Sequence, residues 1–558
     1  MNRAILWPAI AFGLVAAGYA QPYIAYRAIY NVGSYMAPGL PAGAIAQGSV
    51  FAIFGANIGP AATPPSASTF PLQTTVGGVS ITVTQGSTTV NAIPIAFGPG
   101  QIDAIMPSNA PLGAASIQVT YNNSKSNSAP VQIVASSFGV ITANSQGNGP
   151  AIVQNYANGA YPTNSLQLPA QPGQVEVLWG TGLGAAPFAD NTVPTAVNLP
   201  VQTEVFVGGI SANVLYHGRS PCCSGIDEIQ FTVPDQAPQG CWVPIYVRTN
   251  GTTVSNFGTI AITADGSACQ EPNNPLAAAL IQGGTIGNYA AARIGVHQAV
   301  AVPSTVDTIS DVLGAFQAQE VAGAFNFNPM FSLPPAGTCT NYSVIGDLSS
   351  NPNALIPGMT PPTGRGLDAG TISIQGQKGS KSATASATNP GISGAPLAGS
   401  VTPSPLTNTT FLDPGTFTIS LSGGKDVGAG SANVTIPQPL SWTNRDQTSP
   451  VTRANGFTAN WTGGDPTSSV FIVGAGTDLP SNSTDVFLCL APPGANSFTV
   501  PKDVLANIPA TRARLIQSKG AIYVGQWNLK GAGTIQATGF NFSSLVPVFA
   551  SGTTVTFQ

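Results

Sequence analysis

The chain has 558 residues, 7% of them charged, a formal net charge of −4, and 64 glycines and 49 prolines. That length holds several domains of roughly 100 to 150 residues, and the low charge excludes the basic footprint that phosphate neutralisation needs, so nucleic acid and anionic membrane surfaces are not expected partners. A hydrophobic content of 43% excludes a disordered polymer, and the Gly and Pro punctuation is that of short strands joined by turns.

Solubility then rests on Ser, Thr, Asn, Gln and exposed backbone. Such a surface suits a wall or matrix protein and favours self-association.

Residues 1–20 have the layout of a secretory signal peptide: Arg3, an apolar run from Ala4 to Ala17, and the small-x-small site Gly18-Tyr19-Ala20. No later stretch offers eighteen consecutive apolar residues, so no membrane span is expected after cleavage, and the product is expected outside the cytoplasm, secreted or at the outer cell surface. Residues 21–46 read as a lead-in segment with strand character from Tyr23 to Val32.

The next two segments, 47–136 and 137–265, are two copies of one module. GSVFAIFGANIG (48–59) returns as GQVEVLWGTGLG (173–184), and GGVSITV (77–83) as GGISANV (208–214). In the last block Ile102, Pro107, Ala110, Pro111 and Gly113 match Ile229, Pro234, Ala237, Pro238 and Gly240 at a constant offset. Strand-like alternation assigns Val50, Ala52 and Phe54, and equally Val175, Val177 and Trp179, to the core face. Gly55 and Gly180 interrupt these strands and mark a bulge or a close backbone approach.

The paired blocks, with GPGQIDAIMPSNAPLGAASIQV and CCSGIDEIQFTVPDQAPQGCWVPIYV, resemble a family of secreted acidobacterial (Solibacter-type) proteins whose modules are similar to IPT/TIG immunoglobulin-like domains. The resemblance covers roughly residues 35 to 265. It implies an Ig-like β-sandwich for each module and an extracytoplasmic address, and no activity.

Residues 266–290 read as a linker. Beyond it, 291–558 is a β-rich C-terminal region of one or two sandwich-like units, with strands expected at Arg293 to Val302, Gly370 to Gln375, Thr416 to Leu421, Ala432 to Ile436, Val470 to Val473, Val486 to Leu490 and Ile522 to Trp527. Asp307 to Phe325 fits a helix capped by Asp307 and a strand equally well. Ser349 to Gly366 and Asn389 to Asn408 read as long loops. The fold class is therefore all-β.

Six cysteines behind a signal peptide imply disulfides. Cys269, just past the closing strand of the second module, returns beside Cys241, which gives the first expected pair. Cys222 and Cys223 either bond each other or reach Cys241 if their loop folds back. Cys339 and Cys489 remain for each other.

Chemistry has little to work with. His217, expected in a loop, and His297, on a strand, have no His, Glu or Cys at zinc spacing. No nucleophile elbow or P-loop occurs, so no cofactor or metal is expected. Asp227 and Glu228 adjoin on a strand and face opposite ways, while Asp413, Asp426, Asp465 and Asp485 stand in turn contexts. Trp442, Trp461, Trp527 and Tyr523 are the glycan-contact candidates; their polar neighbours fit inward-facing strand positions, the setting also expected of Trp179 and Trp242. The sequence thus reads as a non-enzymatic surface or adhesion protein with a polysaccharide or protein partner. The alternatives are a polysaccharide-binding protein using the C-terminal aromatics and a hydrolase with carboxylates in the same region.

Overall fold

The computed structural model describes residues 21–61, 69–272, 274–301, 304–329, 331–345, 364–399, 410–478, 483–511, 520–528 and 533–558. The expected signal peptide, residues 349–363 of the first expected loop and residues 400–408 of the second lie outside these residues; within the second, Ile392–Gly399 is not loop but a strand paired antiparallel with Ser304–Glu320.

Both copies of the repeat adopt the same strand order. In the first, Val50–Ala56, Gln101–Ile105, Thr88–Phe97, Val79–Gln85, Gly113–Tyr121 and Ala129–Val134 are successive neighbours. In the second, the corresponding neighbours are Val175–Thr181, Asp227–Thr232, Ile210–Arg219, Thr203–Val207, Gly240–Thr249 and Gly258–Ile262. One strand in each copy serves both sheets of the sandwich. Residues 88–92 pair with Val79–Gln85 and residues 93–97 with Gln101–Ile105; residues 210–212 and 213–219 divide in the same way. The switch coincides with a register shift between Pro94 and Ala96 and again between Val214 and Tyr216. A bulge adds twist and bends the strand, which lets a single strand turn from one sheet to the other. The fold is all-β, with two immunoglobulin-like sandwiches in tandem.

The core faces of the opening strands are the reverse of those expected. Phe51 and Ile53 enter the first core and Leu178 the second. Val50, Ala52 and Phe54, like Val175, Val177 and Trp179, lie on the opposite face. The pattern misleads because these strands are covered on both sides: Val50, Ala52 and Val177 are buried as well. Tyr30 and Tyr35 of the lead-in close on Phe54, with ring centroids at 5.9 and 6.4 Å.

Residues 21–46 are accordingly part of the first module. Tyr23–Asn31 pairs antiparallel with Val50–Ala56, and Ile45–Ala46 pairs with Ala129–Val134. That pairing explains Gly55, where a Cβ would stand 2.0 Å from the Tyr23 carbonyl oxygen; at Gly180 it would stand 2.1 Å from the Phe138 ring. Both glycines are sites of close approach.

Residues 266–290 are more than a linker. Asn274 caps the helix Pro275–Gln282 by accepting from the Ala277 N–H, and Gly284 already opens an 18-residue strand, Gly284–Ala301. Its hairpin partner is the 17-residue strand Ser304–Glu320, so the ambiguous stretch from Asp307 is strand up to Glu320. Pairing along nearly the whole hairpin outweighs a helical preference that Gly314 and the β-branched residues already weaken.

This hairpin belongs to a nine-stranded central sheet that also contains Cys339–Ile345, Ser483–Leu490, Ser469–Asp478, Gly520–Trp527 and Phe542–Val555. Two smaller sheets cover one face. One is built from Gly379–Ala383, Ile372–Gly376, Gly415–Leu421 and Gly430–Ile436, the other from Leu440–Trp442, Phe457–Gly463 and Ser497–Val500. The opposite face packs on the helix Pro275–Gln282 and on Trp242 and Leu166 of the second module. No helix among the described residues is long and apolar enough to cross a membrane.

All six cysteines are paired, Cys222 with Cys223, Cys241 with Cys269, and Cys339 with Cys489. Cys339 and Cys489 are direct cross-strand partners. Cys241–Cys269 closes a loop with a sequence separation of 28, so replacing both by Ser is expected to cost about 3 kcal/mol by loop-closure entropy, read as a fall in the urea midpoint under non-reducing conditions.

Candidate functional site

The four C-terminal aromatics do not form an exposed platform. Trp442, Trp461, Trp527 and Tyr523 are 6, 4, 1 and 2% exposed. Trp442 and Trp461 are cross-strand partners in the three-stranded sheet and join the core between that sheet and the central one; Tyr523 and Trp527 face the other way, toward the helix and the second module. None of the four is an exposed glycan contact: Trp442 and Trp461 stand on the inward side of the three-stranded sheet, whose other side alternates to solvent, while Tyr523 and Trp527 belong to a central sheet covered on both faces. The Trp442 indole N–H is satisfied locally, donating to Asn444 Oδ1 at 2.9 Å.

Trp461 and Trp527 do border a cavity of about 670 Å³, between the three-stranded sheet, the end of the central sheet and the turn at Pro334 and Pro335. Large concave sites between packed units are the default place to look for ligands. Two carboxyl groups line it, Glu271 and Asp465. The Asp465 carboxylate accepts from the Thr467 N–H, the Thr467 hydroxyl and the Ser468 hydroxyl, as a turn-forming Asp should. Burial raises the Glu271 carboxyl above its ordinary range, and its Oε1 accepts the Cys241 N–H at 3.1 Å. Cys241, Cys269 and Glu271 come within metal-ligand reach of one another, but both sulfurs are already joined, so the group is a fastening of the module.

The other carboxylates are dispersed. Asp413 meets Lys378 at 2.6 Å and Arg293 at 3.3 Å; hydrogen bonding from Lys378, then from Thr410, lowers its carboxyl to about 2. Asp426 accepts the Asp368 N–H, and Asp485 the Ser343 hydroxyl. His297 lies 3.2 Å from Asp307. His217 is on the strand Ile210–Arg219 rather than in a loop, and burial lowers its imidazole. Asp227 and Glu228 do face opposite ways: Asp227 is fully buried, while Glu228 lies half-buried on the outer face with its carboxyl raised by burial.

The junction between the two modules carries a group of buried polar side chains. Arg219 and Asp227, 2 and 0% exposed, form an ion pair at 2.8 Å. The second Asp227 oxygen accepts the Gly182 and Leu183 N–H groups at 2.7 and 2.8 Å, and Arg219 donates to the Gly184 carbonyl. Burial nevertheless raises the Asp227 carboxyl to about 6, against the pull of Arg219. Thr181 accepts the Val50 N–H from the first module and donates to the Gly225 carbonyl, just past the Cys222–Cys223 turn. Asn31 donates to the Ser137 and Thr181 carbonyls and accepts the Gly33 and Ser34 N–H groups. The lead-in is stitched to the second module.

The second module is in turn fused to the C-terminal unit. Trp242, 1% exposed, leaves its own sandwich core and packs on the central sheet, its indole N–H donating to the Asn326 carbonyl. Tyr246 and Phe257 join the core under the three-stranded sheet, and Arg248 binds Glu204 at 2.8 Å and Asp503 at 2.9 Å.

No protein family and no curated protein matches this sequence. Among solved structures, the plexin A4 extracellular region aligns at 13% identity over 43% of this chain and 18% of that one, with a TM-score of 0.17. SGBP-B from a xyloglucan utilization locus of Bacteroides uniformis aligns at 11% identity over 68% of this chain and 86% of its own, with a TM-score of 0.16. Domains 5–6 of the S-layer protein SbsC align at 10% identity over 44% of this chain and 99% of theirs, with a TM-score of 0.14. The chain thus spans less than a fifth of that plexin chain, and similarity at this level carries no functional assignment.

Proposed function

We propose that this is an extracytoplasmic, non-catalytic scaffold or adhesion protein, related to the secreted acidobacterial proteins with tandem IPT/TIG-like modules, that holds two Ig-like sandwiches at a fixed angle on a large C-terminal β unit. The observation that carries the reading is the continuity of buried contacts across both junctions. Polar atoms of Asn31 and Thr181 bridge the first, beside the buried Arg219–Asp227 pair of the second module, and Trp242, Tyr246 and Phe257 close the second. Modules joined by flexible linkers move relative to one another by default; buried, directional contacts of this kind remove that freedom. The closed disulfides suit an oxidising compartment, and the Asp227, Asp413, Asp426 and Asp465 carboxylates are engaged by turns, ion pairs and backbone donors.

Small-angle scattering of the whole chain tests the reading. The wild type should fit one rigid shape, and Asn31→Ala, which strands two buried carbonyls and two N–H groups, should cost about 2 kcal/mol and increase the maximum dimension. A wild-type curve that requires an ensemble of hinge angles would sink the proposal. The accompanying expectation is that the protein releases no reducing ends from polysaccharides.

A further inference from the structure

Both modules carry aromatic side chains on the outer face of the opening strand, and the second adds an exposed tyrosine hairpin beside them. In the first copy, Tyr30 and Tyr35 roof Phe54. The equivalent ring in the second copy is Trp179, which is partly exposed. Its indole N–H donates to Gln154 Oε1 at 2.8 Å, and Gln154 Nε2 donates to the Tyr161 carbonyl at 3.2 Å. One glutamine thus ties the indole to the hairpin beside it.

That hairpin turns on Asn158 and Gly159, both at positive φ, 51° and 83°, with Ala157 and Ala160 exchanging N–H···O=C bonds at 3.0 and 2.9 Å. Asn-Gly is the pair such a tight turn demands. It sets Tyr156 and Tyr161, 43 and 52% exposed, side by side with ring centroids 5.3 Å apart and planes inclined at 48°. Across the sheet from Trp179 lies Glu228, which accepts from Gln230 Nε2 at 3.2 Å. The face therefore combines exposed rings with amides and one carboxyl.

We infer that Tyr156, Tyr161 and Trp179 form a binding face for a neutral, β-linked polysaccharide. A β-linked hexose chain is a flat ribbon whose faces are C–H groups and whose edges are hydroxyls. The electron-rich ring faces attract polarised C–H groups, and Gln230 and Glu228 are placed to exchange hydrogen bonds with the hydroxyls. No Lys or Arg belongs to the cluster, so it offers nothing to an acidic ligand. Three rings with their amides also fall far short of the roughly 20 to 30 residues a side of a stable protein interface. The shape suits a ribbon, which needs only a shallow strip.

Native gel electrophoresis in gels containing a soluble neutral β-glucan, or polygalacturonate as the acidic control, tests this on the whole protein. The β-glucan should retard the wild type and polygalacturonate should not, and molar salt should leave the retardation in place because no charge pair is involved. Tyr156→Ala/Tyr161→Ala should weaken binding by about tenfold or more, whereas Tyr156→Phe/Tyr161→Phe, which keeps both ring faces, should stay within about threefold of the wild type. As a readout independent of variant folding, bound β-glucan should slow chemical nitration of both tyrosines. An unretarded wild type, equal binding by the alanine variant, loss of binding in the phenylalanine variant, binding of polygalacturonate alone, or unchanged nitration would each overturn the inference. Failure here leaves the scattering test of the rigid scaffold untouched, so the two readings fall separately.

Discussion

Replacing Arg219 by Met is expected to destabilise the protein by about 3 to 5 kcal/mol, the usual consequence of removing one partner from a buried ion pair. Asp227, 0% exposed, would keep only its two backbone donors, the Gly182 and Leu183 N–H groups. Burial already holds its carboxyl at about 6 with Arg219 present, and without the guanidinium the carboxyl should rise further. The loss should therefore be smaller at pH 5 than at pH 8. The double variant Arg219→Met/Asp227→Asn removes both charges while leaving an amide oxygen for the two N–H groups, and should recover much of the lost stability. Urea unfolding of the two variants at both pH values is the measurement. A single variant no less stable than the double, or a cost independent of pH, would show that the buried pair does not act as described.

Glu176→Gln should flatten the pH dependence of stability. Glu176 is fully buried, on the same side of its strand as Leu178 and opposite Phe231, and neither carboxyl oxygen meets a hydrogen-bond partner. Burial alone raises its carboxyl from 4.5 to about 9. The native state thus holds the proton more tightly than the unfolded chain does, so stability is greatest below pH 4.5 and declines as pH rises toward 9. A full shift is worth about 1.4 kcal/mol per pH unit, so this single group removes up to about 4 kcal/mol between pH 5 and pH 8. Glutamine keeps the shape and cannot ionise. The variant should match the wild type near pH 5 and exceed it at pH 8, other titrating groups being common to both. Parallel midpoint curves across that range would place Glu176 in contact with water or a partner.

The same strand shows why part of the molecule was legible and part was not. The residues Val175, Val177 and Trp179 form an apolar alternation, and the rule that the apolar parity faces the core turns Glu176 outward. The actual parity is the reverse: Glu176 and Leu178 face inward, while Val50 on the other face of its strand is buried too, against Leu72, Ile93 and Ile105, and a strand buried on both sides carries no single inward face. The reversal puts Trp179 on the outer face, whereas Trp442 and Trp461 stand at the inward parity that their polar neighbours suggest, and Trp527 lies in a central sheet covered on both faces. The Asn-Gly pair at 158–159, flanked by Tyr156 and Tyr161, was a local signal for the exposed hairpin that needed no tertiary information.

By itself the sequence determined the duplicated sandwich and the first expected disulfide, Cys241 with Cys269, and it marked Gly55 and Gly180 as a bulge or a close approach, which the structure resolved as close approaches. Tertiary structure alone decided which faces stayed open. Gly113–Tyr121 and Gly240–Thr249 occupy the same place in the two modules, yet the first is half-exposed and the second almost wholly buried. The C-terminal unit packs on one and not on the other, and local pattern carries no record of where a distant sheet will dock.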